Sequence, residues 1–281
     1  MSSPSADNRA TVVPIDCDYV YPGAAAAYLM IEGDRAAVVE NNPARAVPRQ
    51  LEVQGAHPRA VRHIVNPERL VASSREVYGA ELFQKLYGEI KGVSAERVRS
   101  MADEEELAFG TRTLRFLHTR GHADHHFCVF DSRSRGIFTG DSFGIGYAAL
   151  QSEGPFLYPS TTPTQFHADE ARRSVDRIAG SGATHAYLTH FGAFDDLAAG
   201  AAQMHSGLDA MESVFVEARE SAVEGEDLQK ICAAGVRKYF DQKLRDCGLT
   251  LGPFQQQLLE LDLDINAMGL AYAAGRARKQ R

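Results

Sequence analysis

Four of the chain's ten histidines fall in one short run, HTRGHADHHF, from His118 to Phe127. A carboxylate follows at Asp141 in FTGD and another imidazole at His190 in YLTHFG. Imidazole and carboxylate are donors suited to zinc, iron or manganese. A carboxylate has two oxygens and can serve two metals. Two metals sharing a water make a hydroxide nucleophile available near neutral pH and polarise the bond to be broken. His122, Asp141 and His190 are therefore the candidate metal ligands for one or two divalent ions, zinc first and iron or manganese next. Asp141 is also the candidate catalytic carboxylate. Each of the three follows a short apolar run and has a glycine nearby (Gly121, Gly140 and Gly192).

The other candidates carry less. His125 and His126 are consecutive, so in an extended segment they point to opposite faces and at most one faces a site. His126 is the candidate for orienting a ligand, and His118 ends a strand and faces a neighbour. His167, His185 and His205 read as ordinary helix or strand residues. Ser142 follows Asp141 without a Gly-x-Ser-x-Gly elbow, which argues against serine chemistry. FGIGYAAL offers one Gly-x-Gly without the third glycine of a dinucleotide loop, and its Tyr147 is a candidate for lining a pocket.

These groups need strand ends to hold them. AAYLMIEGDRAAVVE places two apolar runs, Ala26 to Ile31 and Ala36 to Glu40, around a turn at Glu32-Gly33-Asp34, which predicts a hairpin. ELAFGTRTLRFLHT and HFCVFDSRSRGIFTGD predict two more strand pairs flanking the histidine run. Ala171, Val175 and Ile178 recur about one helical turn apart and stop at Gly180, predicting an amphipathic helix before the strand that ends near His190. Strand, helix, strand with a histidine at the C-terminal edge is where sites in α/β proteins form. From Asp195 onward alanine, leucine, glutamate and lysine predominate, and the region reads as all helical. The expected division is therefore 1–194 and 195–281, the latter packed on the core or at a homodimer interface.

With 30 basic and 37 acidic residues the net charge of -7 disfavours nucleic acid, and the basic tail RARKQR reads as a solvated chain end. Four scattered cysteines give neither a disulfide framework nor a thiolate zinc knuckle, in keeping with a cytoplasmic protein. No stretch approaches the roughly 20 apolar residues of a membrane span. A small-molecule substrate is the partner class that remains.

The ordered set HTRGHADHHF, GIFTGDSFG and AYLTHFG, with AAVVENNPARAVP and AHPRAVRHIVNPERLVASSREVYG before it, resembles the metallo-β-lactamase-fold hydrolases over about residues 11–215. The resemblance implies a four-layer αββα sandwich with a dinuclear site at one edge. It implies that His122 serves the first metal, Asp141 bridges and His190 serves the second. It also implies a metal-dependent hydrolase of an ester, lactone, thioester or phosphoester. One element departs from the family: the His-x-His-x-Asp-His loop, which supplies four ligands, occurs nowhere in the chain. Its place would be near Gln54 and Gly55, within a proline-containing stretch, Asn41 to Val61, too short for the expected helix and strands. His57 and His63 lie just beyond and are the candidates for substituting.

The departure leaves an alternative: a metal-poor, inactive relative or deletion form that acts as a binding or structural protein. Sequencing the encoding DNA across the Gln54 and Gly55 codons tests the deletion. An uninterrupted reading frame in independent isolates is the result for a natural short form, and additional codons there are the result for a deletion.

Overall fold

The computed structural model describes residues 12–17, 20–40, 54–161 and 166–279. Strands β1 (Val12–Asp16), β2 (Ala26–Glu32) and β3 (Arg35–Val39) form an antiparallel three-stranded sheet with β2 in the middle. The β2–β3 turn is the one anticipated at Glu32-Gly33-Asp34. β4 (Gln54–Ala56) lies parallel to β5 (Val98–Ser100), and between them run α1 (Val61–Val65), α2 (Glu68–Tyr78) and α3 (Ala80–Tyr87). The larger sheet has β6 (Glu106–Phe109), β7 (Arg112–His118), β8 (Phe127–Asp131), β9 (Gly136–Phe138), β10 (His185–Leu188) and β11 (Gly192–Phe194), in the spatial order β11-β10-β9-β8-β7-β6.

Alternation along the strands sets what each face buries. Ala26, Tyr28 and Met30 of β2 face inward and meet Leu114, Phe116, Val129, Phe138 and Tyr187 of the larger sheet. The opposite face of that sheet, with Leu117, Cys128, Ile137, Ala186 and Leu188, takes the stripe Ala171, Val175 and Ile178 of α4 (Ala168–Ala179). The same core includes Leu197, Met204 and Leu208 of α5 (Leu197–Glu220). α6 (Gly225–Cys247) and α7 (Pro253–Lys279) enclose a further apolar cluster with Ile145, Tyr147, Phe156 and Tyr158, so the C-terminal helices pack onto the sandwich itself.

Two features bear on the site. β9 and β10 run parallel with Phe138 opposite Tyr187, and α4 lies between them in the chain. Their C-terminal ends therefore adjoin. β7 points the same way, since β7–β8 and β8–β9 are both antiparallel. Three chain segments thus leave the larger sheet at one edge, and they lead to His122, Asp141 and His190.

The smaller sheet has only its three strands among the described residues, and its outer face leaves Val13, Ile15 and Ile31 exposed at 40%, 41% and 46%. A four-layer arrangement would cover such a face with a helix. The short span between β3 and β4 is where the resemblance places that helix and additional strands, and residues 41–53 lie outside the described residues. Among the described residues no helix is long and apolar enough to cross a membrane.

An ion network joins the two sheets. Arg112 is fully buried, 2.8 Å from Asp131 and 3.2 Å from Glu32 of β2, and Ser134 donates to Asp131 at 2.6 Å. Removing one partner leaves a buried charge uncompensated. Asp131→Ala is expected to cost about 3–5 kcal/mol in equilibrium denaturation, whereas Ile31→Lys on the exposed face should stay within about 0.5 kcal/mol. Equal effects of the two substitutions would contradict this picture of the sandwich.

Candidate metal centre

Asp141 follows β9 in a single 3-10 turn, Gly140–Phe143, and His190 follows β10 by two residues. His122 lies in the loop after β7. The turn into Asp141 requires glycine. Gly140 has φ +50, and a Cβ there would lie 2.2 Å from Nε2 of the His126 ring.

The three side chains predicted from the sequence meet. His122 Nε2 lies 3.3 Å from Asp141 Oδ2, and His190 Nε2 lies 3.3 Å from Asp141 Oδ1. Each imidazole faces its own carboxylate oxygen. The other ring nitrogens point at backbone carbonyls: His190 Nδ1 is 2.7 Å from Ala24 O, and His122 Nδ1 is 3.3 Å from Ser160 O. A ring that donates Nδ1–H to a carbonyl presents the Nε2 lone pair, the arrangement that orients metal-binding histidines. Asp141 Oδ1 is buried and has no hydrogen-bond partner among the described residues.

The spacing fits cations. Bonds of about 2.0–2.1 Å at tetrahedral angles set two donor atoms about 3.4 Å apart, close to both observed separations. The number of donors is what falls short among the described residues. There each side of the carboxylate has one imidazole and one oxygen, and catalytic sites usually have three protein ligands. In agreement, no group of three or more histidine, cysteine or carboxylate side chains placed to hold a metal ion occurs among the described residues.

Without a cation, charge at the site balances through protons. Burial opposes protonation of His190, but the adjoining Asp141 carboxylate outweighs it and raises the imidazole to about 9. Burial would raise Asp141, yet His122 and His190 beside it hold its carboxyl well below the usual range.

The structure adds a carboxylate that sequence reasoning missed. Glu40, directly after β3, is pushed up to about 7 by burial and by the charge of Asp141, against the pull of Thr189 and His190. Its φ of 70 is unusual for a non-glycine residue, but no sequence pattern signals it.

His126 accepts or donates at Nδ1 to Thr119 Oγ1 and Ser142 Oγ, both at 2.9 Å, and burial pushes it down to about 3. It therefore braces the turn that carries Asp141. Ser142 does contact a histidine, but its hydroxyl is also within reach of Thr119 Oγ1, at 3.1 Å, inside the same buried knot.

The candidates for substitution lie elsewhere. His57 lies against His118, ring centroids 4.0 Å apart and tilted by 43°, and His63 accepts from Arg62 Nε at 3.2 Å. Tyr147 is buried with its ring 6.0 Å from that of His190. His185 is buried beside Tyr187, and His205 pairs with Asp176 at 2.8 Å. The cavity against His122, Asp141 and Ser142 measures about 10 Å³, room for about one water.

Residues 52–190 match the family model described as the metallo-beta-lactamase superfamily. A sequence search of curated proteins finds no match. Among solved structures, the chain is similar to an archaeal metallo-beta-lactamase superfamily protein from Sulfolobus tokodaii at 17% identity, with a TM-score of 0.62 over 92% of this chain and 97% of that one. It is also similar to a metallo-beta-lactamase family protein from Thermus thermophilus at 17% identity, with a TM-score of 0.59 over 96% and 94%. The similarity to the inverting sec-alkylsulfatase Pisa1 from a Pseudomonas species is 9% in identity, with a TM-score of 0.50 over 97% of this chain and 51% of that one. At these identities the likeness is one of fold.

The proton balance gives a direct check. In metal-free protein followed by NMR, His190 should titrate near 9. In Asp141→Asn it should titrate well below that, because burial remains while the largest compensating charge is gone and only Asp262 and the Ala24 carbonyl still favour the proton. An unchanged titration would show that the two groups do not interact.

Proposed function

Over residues 52–190 this chain belongs to the metallo-β-lactamase superfamily, and from that premise we propose that it is a metal-dependent hydrolase acting on a small ester, lactone, thioester or phosphoester with loosely held divalent cations. The observation that carries the reading is a carboxylate, Asp141, that faces an imidazole with each of its oxygens, Oδ1 toward His190 Nε2 and Oδ2 toward His122 Nε2, both at 3.3 Å. His122 and Oδ2 would hold one cation, and His190 and Oδ1 the other. When bound, such a cation lowers the pKa of water toward neutrality and polarises a carbonyl or phosphoryl oxygen. The chain's own part is orientation. The carbonyls of Ala24 and Ser160 fix the two rings, His126 braces the turn below Asp141, and the half-buried carboxylate supplies negative charge to both imidazoles.

Two donors on each side favour weak binding, so the activity should depend on added metal. Zinc suits the imidazole and carboxylate set best, with iron and manganese next. The same donor count favours a second reading, in which the fold persists as a metal-poor binding or structural protein, with pairing through the C-terminal helices as one form of it.

Calorimetric titration of chelator-treated protein with zinc or manganese separates the two. The hydrolase reading expects saturable uptake that Asp141→Ala abolishes and that His122→Ala or His190→Ala weakens roughly tenfold or more. It also expects hydrolysis of a nitrophenyl ester, lactone, thioester or nitrophenyl phosphate only when metal is added. Uptake unaffected by all three substitutions, with no turnover, would leave the metal-poor reading.

A further inference from the structure

The segment AHPRAVRH concentrates positive charge in a chain that is acidic as a whole, with a net charge of -7. The fold aims that charge at one place. Pro58, Arg59, Arg62 and His63 form one wall of a cleft of about 380 Å³, and Asp124 and His125, from the loop that carries His122, form the other. That volume lies at the small end of ligand pockets. It far exceeds the single-water cavity at Asp141, so the body of any bound molecule has more room on this side.

The charges in the cleft do not cancel. Asp124 is the carboxylate lining it and is already held by Arg120 at 2.7 Å, with Arg59 at 3.5 Å. Glu170, which does not line the cleft, stands 3.9 Å from Arg120. Arg62 is exposed and meets the neutral ring of His63, donating from Nε to its Nε2 at 3.2 Å. The His63 and His125 rings lie 6.2 Å apart across the cleft. Burial and neighbouring cationic groups hold both below the ordinary imidazole value. Guanidinium groups in this setting repel a metal ion and match the paired oxygens of an oxyanion.

We propose that the cleft between Arg59, Arg62, His63 and His125 binds the anionic group, carboxylate or phosphate, of a small molecule. Its assignment as the subsite for the acidic end of a substrate rests on the hydrolase reading; the anion binding itself does not. His122 and His125 share one loop, which links the cleft in the chain to the candidate centre.

The test uses full-length, chelator-treated protein at low ionic strength, titrated with inorganic phosphate and separately with succinate, while NMR follows the His63 and His125 imidazoles. Saturable shifts at both rings are expected with at least one of the two anions; which anion binds distinguishes a tetrahedral from a carboxylate site. Arg62→Gln and Arg59→Gln should each weaken binding roughly tenfold, and Arg237→Gln, on an exposed face of α6, should not. Both cleft arginines are partly or fully open to solvent, and circular dichroism verifies that the variants fold. Absence of saturable shifts, or equal shifts in the arginine variants, would overturn the proposal. Because metal is absent throughout, failure of the hydrolase reading would leave this result unmoved.

Discussion

A single half-buried carboxylate between two imidazoles organises this molecule's chemistry. Asp141 offers one oxygen to each ring, and each ring is turned by a backbone carbonyl so that Nε2 faces the acid. Such a knot is costly to bury unless something positive fills it. Protons suffice in isolation, which is why His190 is raised to about 9 and Asp141 lowered. Divalent cations suit the same gaps by spacing and donor type.

The sheet makes the knot possible. Because β9 and β10 are parallel neighbours, two residues separated by α4 in the chain arrive side by side. β7 delivers the third from the same edge. Behind them the C-terminal helices complete the wall. Tyr158, on the segment enclosed by α6 and α7, donates to the buried Asp262 of α7 at 2.7 Å, and Asp262 adds negative charge near His190. The helical region thus contributes to the electrostatics of the centre.

Much of this was legible in the sequence because it depends on local pattern. The hairpin at Gly33, the strands around the histidine run and the α4 stripe of Ala171, Val175 and Ile178 each follow from periodicity and turn chemistry, and the strand ends before His122, Asp141 and His190 pointed to the edge where these three side chains meet. What stayed hidden depends on long-range approach. Nothing local ties Glu40 to Asp141, His57 to His118, or Arg112 to Glu32. Equally, the role of His126 as a brace emerges only where Gly140 lets the ring come close. The cationic cleft was unreadable for the same reason, since Arg59 and Arg62 acquire meaning only opposite His125.

The proposed chemistry requires that the two oxygens of Asp141 each share a cation with one histidine. Anomalous diffraction from zinc-soaked crystals tests this without any assumption about substrate. Peaks are expected flanking the Asp141 carboxylate, one beside His122 Nε2 and one beside His190 Nε2. Saturating zinc with no peak at Asp141, or with zinc bound only between His57 and His118, would contradict it.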